Sequence, residues 1–159
     1  MTRGGERLDT VVRVRSLCNA DLEEVIRIDA LHTGEPKRDY WRDVFHDFID
    51  ARSSRMRVGL AADGDAGMIG FLLGEIRAFE FGSGPCGWVF SVGVDPWYER
   101  RKVASMLLAE CCSRFRGAGV DRVRTMVVRN NVPVLSFFRA NGFVAGSFAQ
   151  LELDLEEVV

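Results

Sequence analysis

Three consecutive cations, Arg100, Arg101 and Lys102, stand between an apolar run at 88–94 and a helical pattern that follows it. The start of a helix leaves about four backbone N–H groups unpaired and carries roughly half a positive charge, so phosphate binds there readily. Glu99 removes one charge, but the turn stays positive enough for a pyrophosphate. The alternative is a solvated first turn. Cations there oppose the helix dipole at about 0.3–1 kcal/mol each, a cost that a bound anion would relieve.

The surrounding pattern predicts the elements that hold this turn. Alternation of apolar and polar residues indicates strands, and apolar stripes at spacings of three and four indicate helices. An Asp-Gly pair between two apolar runs predicts a hairpin. The predicted strands are 10–15, 56–62, 67–79, 88–94, 121–128, 143–148 and 150–155, and the predicted helices begin near Asn19, Pro36, Arg101 and Asn131. The order β-α-α-β-β-β-α-β-α-β-β predicts an α+β fold, a mixed and mostly antiparallel sheet flanked by about four helices.

Composition narrows the class of protein. The chain has 159 residues, 47% of them hydrophobic, which suits a single domain at 10–159 after a disordered lead at 1–9. A net charge of −2 argues against nucleic-acid binding by the whole surface. No apolar run approaches the roughly 20 residues that span a bilayer. Four cysteines without a C-x-x-C pair and only two histidines predict no metal site and favour reduced thiols in a cytoplasmic protein.

Two stretches carry a family signature. The segment 94–104, VDPWYERRKVA, resembles V-x-P-x-[YW]-[QR]-x-x-G-x-[GA], the phosphate-loop motif of the GCN5-related N-acetyltransferases. The segment 129–143, RNNVPVLSFFRANGF, resembles that family's N-x-x-A-x-x-[FL]-[YF]-x-x-x-G-F, with matches at Asn131, Phe137, Phe138, Gly142 and Phe143. The resemblance runs from about residue 11 to 155, and the predicted order of elements is that of the family fold.

The resemblance implies an acetyl-CoA-dependent N-acetyltransferase that transfers an acetyl group to a primary amine by direct attack. In this family the fourth and fifth strands splay apart, and the pantetheine arm of acetyl-CoA enters the gap. Backbone groups of Val92 and Val94 would then pair with the arm, and the Val92 amide would polarise the thioester carbonyl. Asn131 would contact the pantetheine or steady the last helix. The pyrophosphate would be bound by the loop amides, those of Arg100, Arg101, Lys102, Val103 and Ala104.

Three residues depart from the family pattern. Glu99 replaces the usual Gln or Arg, and Lys102 replaces the loop glycine. Phe138 stands where a tyrosine often protonates the leaving thiolate, at a position that would contact the cofactor. These departures leave an alternative open, a non-catalytic acyl-CoA-binding or regulatory domain with a degenerate phosphate loop.

The attacking amine must be neutral, and free primary amines are mostly protonated at pH 7, so the reaction needs a base. Some family members carry a glutamate at the start of the fourth strand, where this chain has Trp88. Glu75, in the otherwise apolar third strand, is the favoured catalytic base, and a solvent-facing strand end is the alternative. Glu80 and Asp95 are weaker candidates.

The acceptor region of the family corresponds to the first two predicted helices. His32 and the acidic residues Glu35, Asp39 and Asp43 lie there. An acidic rim would favour a cationic amine, whereas ordinary surface charge is the other interpretation. The expected partner is therefore an amine acceptor, with no role for nucleic acid or membrane, and apolar strands at the C-terminus leave room for a homodimer.

Overall fold

A computed structural model describes residues 10–50 and 56–156. The chain divides into two compact units, one up to Met126 and one from Val127 onward. The predicted disordered lead at 1–9 lies outside the described residues. The prediction of one domain over 10–159 stays a prediction.

The first unit is built on a five-stranded sheet in the order β1-β2-β3-β4-β5. Neighbouring strands from β1 to β4 are antiparallel, and β5 is parallel to β4. The mixed, mostly antiparallel sheet predicted from the sequence is thereby confirmed. The strands are β1 Arg13–Ser16, β2 Arg57–Gly64, β3 Gly67–Arg77, β4 Cys86–Val94 and β5 Val123–Arg124.

The four predicted helices are present. They are α1 Leu22–Thr33, α2 Arg38–Phe45, α3 Val103–Gly117 and, in the second unit, α4 Val132–Ala140. A 3₁₀ turn at Asn19–Asp21 precedes α1, and a π-helical turn at His46–Asp50 follows α2. Across residues 10–50 and 56–156, no helix is long and apolar enough to cross a membrane.

Each face of the sheet is covered by helices. On one face α1 and α2 cover β3, where the Trp41 and Phe71 rings meet edge-on with centroids 5.4 Å apart. On the other face α3 places the fully buried Phe115 over two glycines. A Cβ atom at Gly87 would lie 2.5 Å from the Phe115 ring, and one at Gly74 would lie 3.0 Å from it. These glycines therefore let α3 pack directly against β3 and β4.

An ion-pair network ties β1 to the start of α1. Arg15 donates hydrogen bonds of 2.8 and 2.9 Å to Asp21 and of 2.6 and 3.1 Å to Asp63. Asp21 also accepts a 2.9 Å hydrogen bond from the Cys18 amide, so it closes the turn that leads into the helix. The hydrogen bond from Arg15 is the largest influence on this carboxyl. Against the opposing effect of burial, it and the Cys18 amide hold the pKa of Asp21 below its ordinary value.

Replacing Asp21 by alanine is expected to lower the free energy of unfolding at pH 7 by about 1.5–3 kcal/mol, since hydrogen bonds to a buried carboxylate are lost. Because its folded-state pKa is depressed, Asp21 stabilises the protein at neutral pH and loses this effect as the pH falls through the folded-state value. The difference in free energy of unfolding between wild type and Asp21→Ala, measured with urea, should therefore shrink below about pH 4. Asp65→Ala, in the exposed hairpin turn, is the control. A gap of equal size at pH 3 and pH 7 would contradict the assignment.

The sequence prediction was wrong about the strands that follow α3. The strand predicted at 121–128 is reduced to β5, because Thr125 turns its side-chain hydroxyl to the Val89 carbonyl at 2.9 Å instead of extending the backbone ladder. The strands predicted at 143–148 and 150–155 do not form in the described part of the chain. The leucines of the second segment alternate with polar residues, but a strand also needs a hydrogen-bonded neighbour. Leu151, Leu153 and Leu155 are exposed instead.

Candidate active site

One edge of β4 is open over its second half. The Asp95 amide donates to the Ile69 carbonyl of β3 at 2.8 Å, so alternation along the strand turns the backbone groups of Val92 and Val94 away from β3. On that side β5 pairs only with Gly87 and Trp88. Among the described residues, backbone pairing between β4 and β5 therefore ends at Trp88. Beyond the contact of Thr125 with the Val89 carbonyl, amides and carbonyls of β4 line an open slot.

A bulge in β4 marks the start of the slot. Leu73 faces Ser91 while Gly74 faces Val89, so Phe90 is the extra residue. A bulge bends its strand and redirects a side chain. Here the Phe90 ring lies on the same face as α2, 5.0 Å from the ring of Phe48 in the π-helical turn.

The other end of the slot is the basic turn. A 3₁₀ turn at Pro96–Tyr98 leads into it, and α3 begins at Val103. Arg100 and Lys102 take left-handed backbone conformations, with φ of 64° and 60°. Lys102 thus occupies the position of the family's loop glycine and also adopts the conformation that glycine favours. The backbone shape of an anion-binding turn is kept without the glycine.

The predicted cations have different surroundings. Arg101 stacks over the Tyr98 ring at 5.3 Å and donates a 2.9 Å hydrogen bond to the Thr10 hydroxyl. Arg100 and Lys102 are exposed, as is Glu99. Arg101 therefore helps to hold the turn, and the other two cations face solvent beside the first turn of α3.

Replacing Lys102 by glycine is expected to raise the free energy of unfolding by about 0.5–1 kcal/mol. The substitution relieves the strain of a left-handed L-residue, which is worth about 1–2 kcal/mol. This gain exceeds the entropic cost of the added freedom of glycine in the unfolded chain. Urea unfolding measures the change, and Lys102→Ala is the control because it removes the same charge but keeps the strained φ. Equal free energies of unfolding for the two variants would contradict the assignment of backbone strain to Lys102.

Asp95 has a structural place at the end of β4. It accepts hydrogen bonds from Arg27 at 2.9 Å and from the Trp97 amide at 3.0 Å. Burial acts to raise the pKa of Asp95, but these bonds prevail and hold it below its ordinary value. A carboxylate held in this way orders the turn and is poorly suited to act as a base.

His32 lies at the slot itself. Its Nε2 is 2.6 Å from the Val94 carbonyl, and since a carbonyl only accepts, this nitrogen carries the proton. The acidic residues predicted with it around the first two helices lie on the surface. Glu35, Asp39 and Asp43 are exposed, and Asp39 pairs with Arg42 at 3.0 Å.

Glu75 is the middle member of a row across three strands. It faces Arg57 of β2 on one side and Trp88 of β4 on the other. Its side chain is only 16% exposed, and Oε1 accepts a 3.0 Å hydrogen bond from Arg77. Arg77 in turn lies over the Trp88 ring at 5.0 Å. Glu75 is therefore neither solvent-facing nor isolated, and it lies beside the position where some family members carry glutamate.

The remaining two candidates belong to the second unit. The Asn131 side chain accepts a 3.3 Å hydrogen bond from the Val134 amide and so caps α4. The Phe138 ring is buried, edge-on to Phe137 and Phe143 with centroids 5.0 Å from each. Their contact with the cofactor stays a prediction.

Comparisons with known proteins identify relatives of this architecture. An aminoglycoside N-acetyltransferase, AAC(6')-Iy in complex with CoA, superposes with a TM-score of 0.79 at 16% identity over 98% of this chain and 99% of its own. A ribosomal-protein-alanine N-acetyltransferase from Brucella melitensis biovar Abortus 2308 gives 0.72 at 14% identity, over 91% and 99%. A transcriptional regulator from Bacillus halodurans C-125 gives 0.76 at 15% identity, over 91% and 100%. These likenesses concern the fold.

Sequence comparison decides the family. None of the curated proteins matches this sequence significantly. The model of the acetyltransferase (GNAT) family, however, matches residues 22–143, well over half of the chain. The resemblance carried by the two motifs is confirmed, as are the predicted enzyme class and cosubstrate. The chain therefore belongs to the acetyltransferase (GNAT) family and is an acetyl-CoA-dependent enzyme.

Proposed function

We propose that the protein transfers the acetyl group of acetyl-CoA directly to the primary amine of an acceptor. The observation that carries the proposal is the open edge of β4, which runs from the bulge to the basic turn before α3. Two of the similar structures are N-acetyltransferases, and one of these is bound to CoA.

The open edge offers partners to two parts of the cosubstrate, the pantetheine arm and the pyrophosphate. The Val92 carbonyl and the Val94 amide face the slot and can pair with the amide groups of a pantetheine arm, as one strand pairs with another. The Val94 carbonyl accepts from His32 and would share or give up that bond. The turn from Arg100 to Ala104 offers unpaired amides and the positive end of the α3 dipole to a pyrophosphate. Arg100 and Lys102 add charge at that end.

When bound, acetyl-CoA would supply its acetyl group as a thioester, from which the CoA thiolate is a good leaving group. Glu75 accepts a proton from the acceptor ammonium, and the neutral amine attacks the acyl carbon. The Val92 N–H donates to the acyl oxygen, where negative charge develops. The C–N bond forms and the C–S bond breaks, so the acetyl group is transferred as an amide and CoA leaves as the thiolate. The second proton on the nitrogen passes to this thiolate or to solvent.

Release of free thiol from acetyl-CoA in the presence of a panel of primary amines tests the proposal. Calorimetry with CoA alone runs beside it. We expect CoA binding in the absence of an amine and thiol release only when an amine is present. Failure of every amine to release thiol, despite CoA binding, would contradict the proposal.

A further inference from the structure

Arg57 forms no ion pair with any residue that the structure describes. Its guanidinium lies 4.8 Å from the centroid of the Phe48 ring. Within the part of the chain that the structure describes, its buried Nε and Nη1 have no hydrogen-bond partner. Buried donors in folded proteins nearly always have partners, and an unpaired one indicates a missing ligand or a functional role.

The charge around Arg57 is unbalanced. Its cross-strand neighbour is Glu75, and the adjacent hydrogen-bonded pair formed by Met56 and Ile76 makes this a closely spaced, non-hydrogen-bonded pair. The Glu75 carboxylate nevertheless bonds Arg77. One carboxylate thus stands between two guanidinium groups, and a single positive charge is left over.

The Arg57 guanidinium lies near the start of the slot, at the end of β4 away from the basic turn. Phe48 contacts both Arg57 and the bulge residue Phe90, which borders the slot. Trp88 is on the same face, opposite Glu75. Glu75, the proposed base, is therefore surrounded by aromatic rings and by the unpaired Arg57 guanidinium, at the end of β4 away from the basic turn.

We propose that Arg57 binds a carboxylate carried by the acceptor, so that the acceptor is an amine that is also an acid. This inference rests on the proposed function. Guanidinium groups bind carboxylates through several aligned N–H donors, which provides both affinity and orientation. Because Nε and Nη1 are buried, binding requires the side chains that cover them to move. Phe48 lies in a π-helical turn, an irregularity that is frequent at functional sites.

Matched acceptors that differ only in the carboxylate test the inference. The pairs are phenylalanine with phenethylamine and 6-aminohexanoate with hexylamine, assayed by thiol release from acetyl-CoA. Wild type should favour the acid of each pair by about 10–100-fold in kcat/KM, the usual effect of a charge-assisted hydrogen bond. Arg57→Gln should lose this preference, so that the ratio of kcat/KM for the acid to kcat/KM for the plain amine falls to about one. Arg57→Lys should keep part of it.

Arg42→Gln is the matched control, since Arg42 is 66% exposed on α2 and pairs only at the surface with Asp39. It should leave the preference unchanged. Equal or better activity of wild type on the plain amines would overturn the inference, and so would an intact preference in Arg57→Gln. Thermal unfolding shows whether each variant is folded. If Arg57→Gln is not, Arg57→Lys decides, and an undiminished preference there overturns the inference.

A binding measurement separates this inference from the proposed function. With CoA present, calorimetry compares 3-phenylpropionate, 3-phenylpropan-1-ol and inorganic phosphate. Binding of the acid alone, lost in Arg57→Gln, supports the carboxylate site even if no amine is acetylated. Absence of acid binding, or binding of phosphate in its place, overturns the site even if amines are acetylated.

Discussion

Glu75→Gln is expected to lower kcat/KM for acetyl transfer by about 10²–10⁴-fold, the usual contribution of a positioned base. Glutamine matches glutamate in shape but cannot accept the proton of the acceptor ammonium. The affinity of the variant for CoA should not change, because the Glu75 side chain lies between Arg57 and Trp88 on a face of the sheet and not at the open edge of β4. Thiol release and CoA calorimetry on the same sample measure the two quantities.

The pH dependence distinguishes loss of a base from loss of structure. An acceptor that is deprotonated by solvent at high pH no longer needs the enzyme's base, so Glu75→Gln should recover activity relative to wild type as the pH approaches the acceptor pKa. Glu80→Gln, in the turn between β3 and β4, is the matched control and should behave as wild type. A deficit of the same size at every pH would argue that Glu75 only holds Arg77 in place.

Val92→Pro should reduce kcat by about 10²–10³-fold, as expected for loss of one donor to a developing oxyanion. Proline has no amide hydrogen. The Val92 N–H faces the open slot and not β3, so the substitution removes no hydrogen bond from the sheet. The fold should therefore survive, as thermal unfolding can verify, and single-turnover kinetics with saturating acetyl-CoA should show the slow chemical step.

Val94→Pro is the comparison variant. Its N–H faces the same slot two residues nearer the basic turn, where the pantetheine arm and not the acyl group would lie. Val94→Pro should weaken CoA binding with little change in kcat, whereas Val92→Pro should do the reverse. Equal effects of both variants on CoA affinity alone would refute the oxyanion role of Val92.

Much of the fold follows directly from the sequence. The apolar stripe of α3 contains Leu107, Leu108, Cys111 and Phe115, and all four are buried. The Asp-Gly pair, Asp63 and Gly64, ends β2 directly before the turn of the β2–β3 hairpin. These features are local, since a helix or a hairpin places its apolar residues by its own periodicity. Pairing between distant segments is not local, and it is there that the predicted strands at 143–148 and 150–155 proved wrong.

Two β-bulges, each of a single residue, determine which side chains meet in the site, and sequence analysis did not predict them. Counting back from the hairpin turn pairs Arg57 with Gly74, but a bulge near Asp63 shifts the register by one and brings Arg57 opposite Glu75. The bulge in β4 likewise shifts the register by one and makes Phe90 the extra residue. Sequence periodicity does not reveal where an extra residue is inserted, so the cation next to the predicted base was missed.

The basic turn was predictable in its chemistry but not in its conformation. Charge and position relative to α3 indicated an anion site. A left-handed Lys102 contradicts the ordinary preference of a side-chain-bearing residue, and only the surrounding structure can impose it. The contact of His32 with Val94 was likewise unexpected, because α1 and the end of β4 are 62 residues apart along the chain.

The hydrogen bond between His32 and the Val94 carbonyl provides a natural NMR probe of whether the slot is occupied. The chain has only two histidines, so its imidazole resonances in an NMR spectrum are few enough to assign by one substitution at His46. A coenzyme that enters along β4 must share or displace this contact, and the ring protons of His32 would then shift while those of His46 stay in place. Occupancy of the slot can therefore be followed in unlabelled protein, before any acceptor is known.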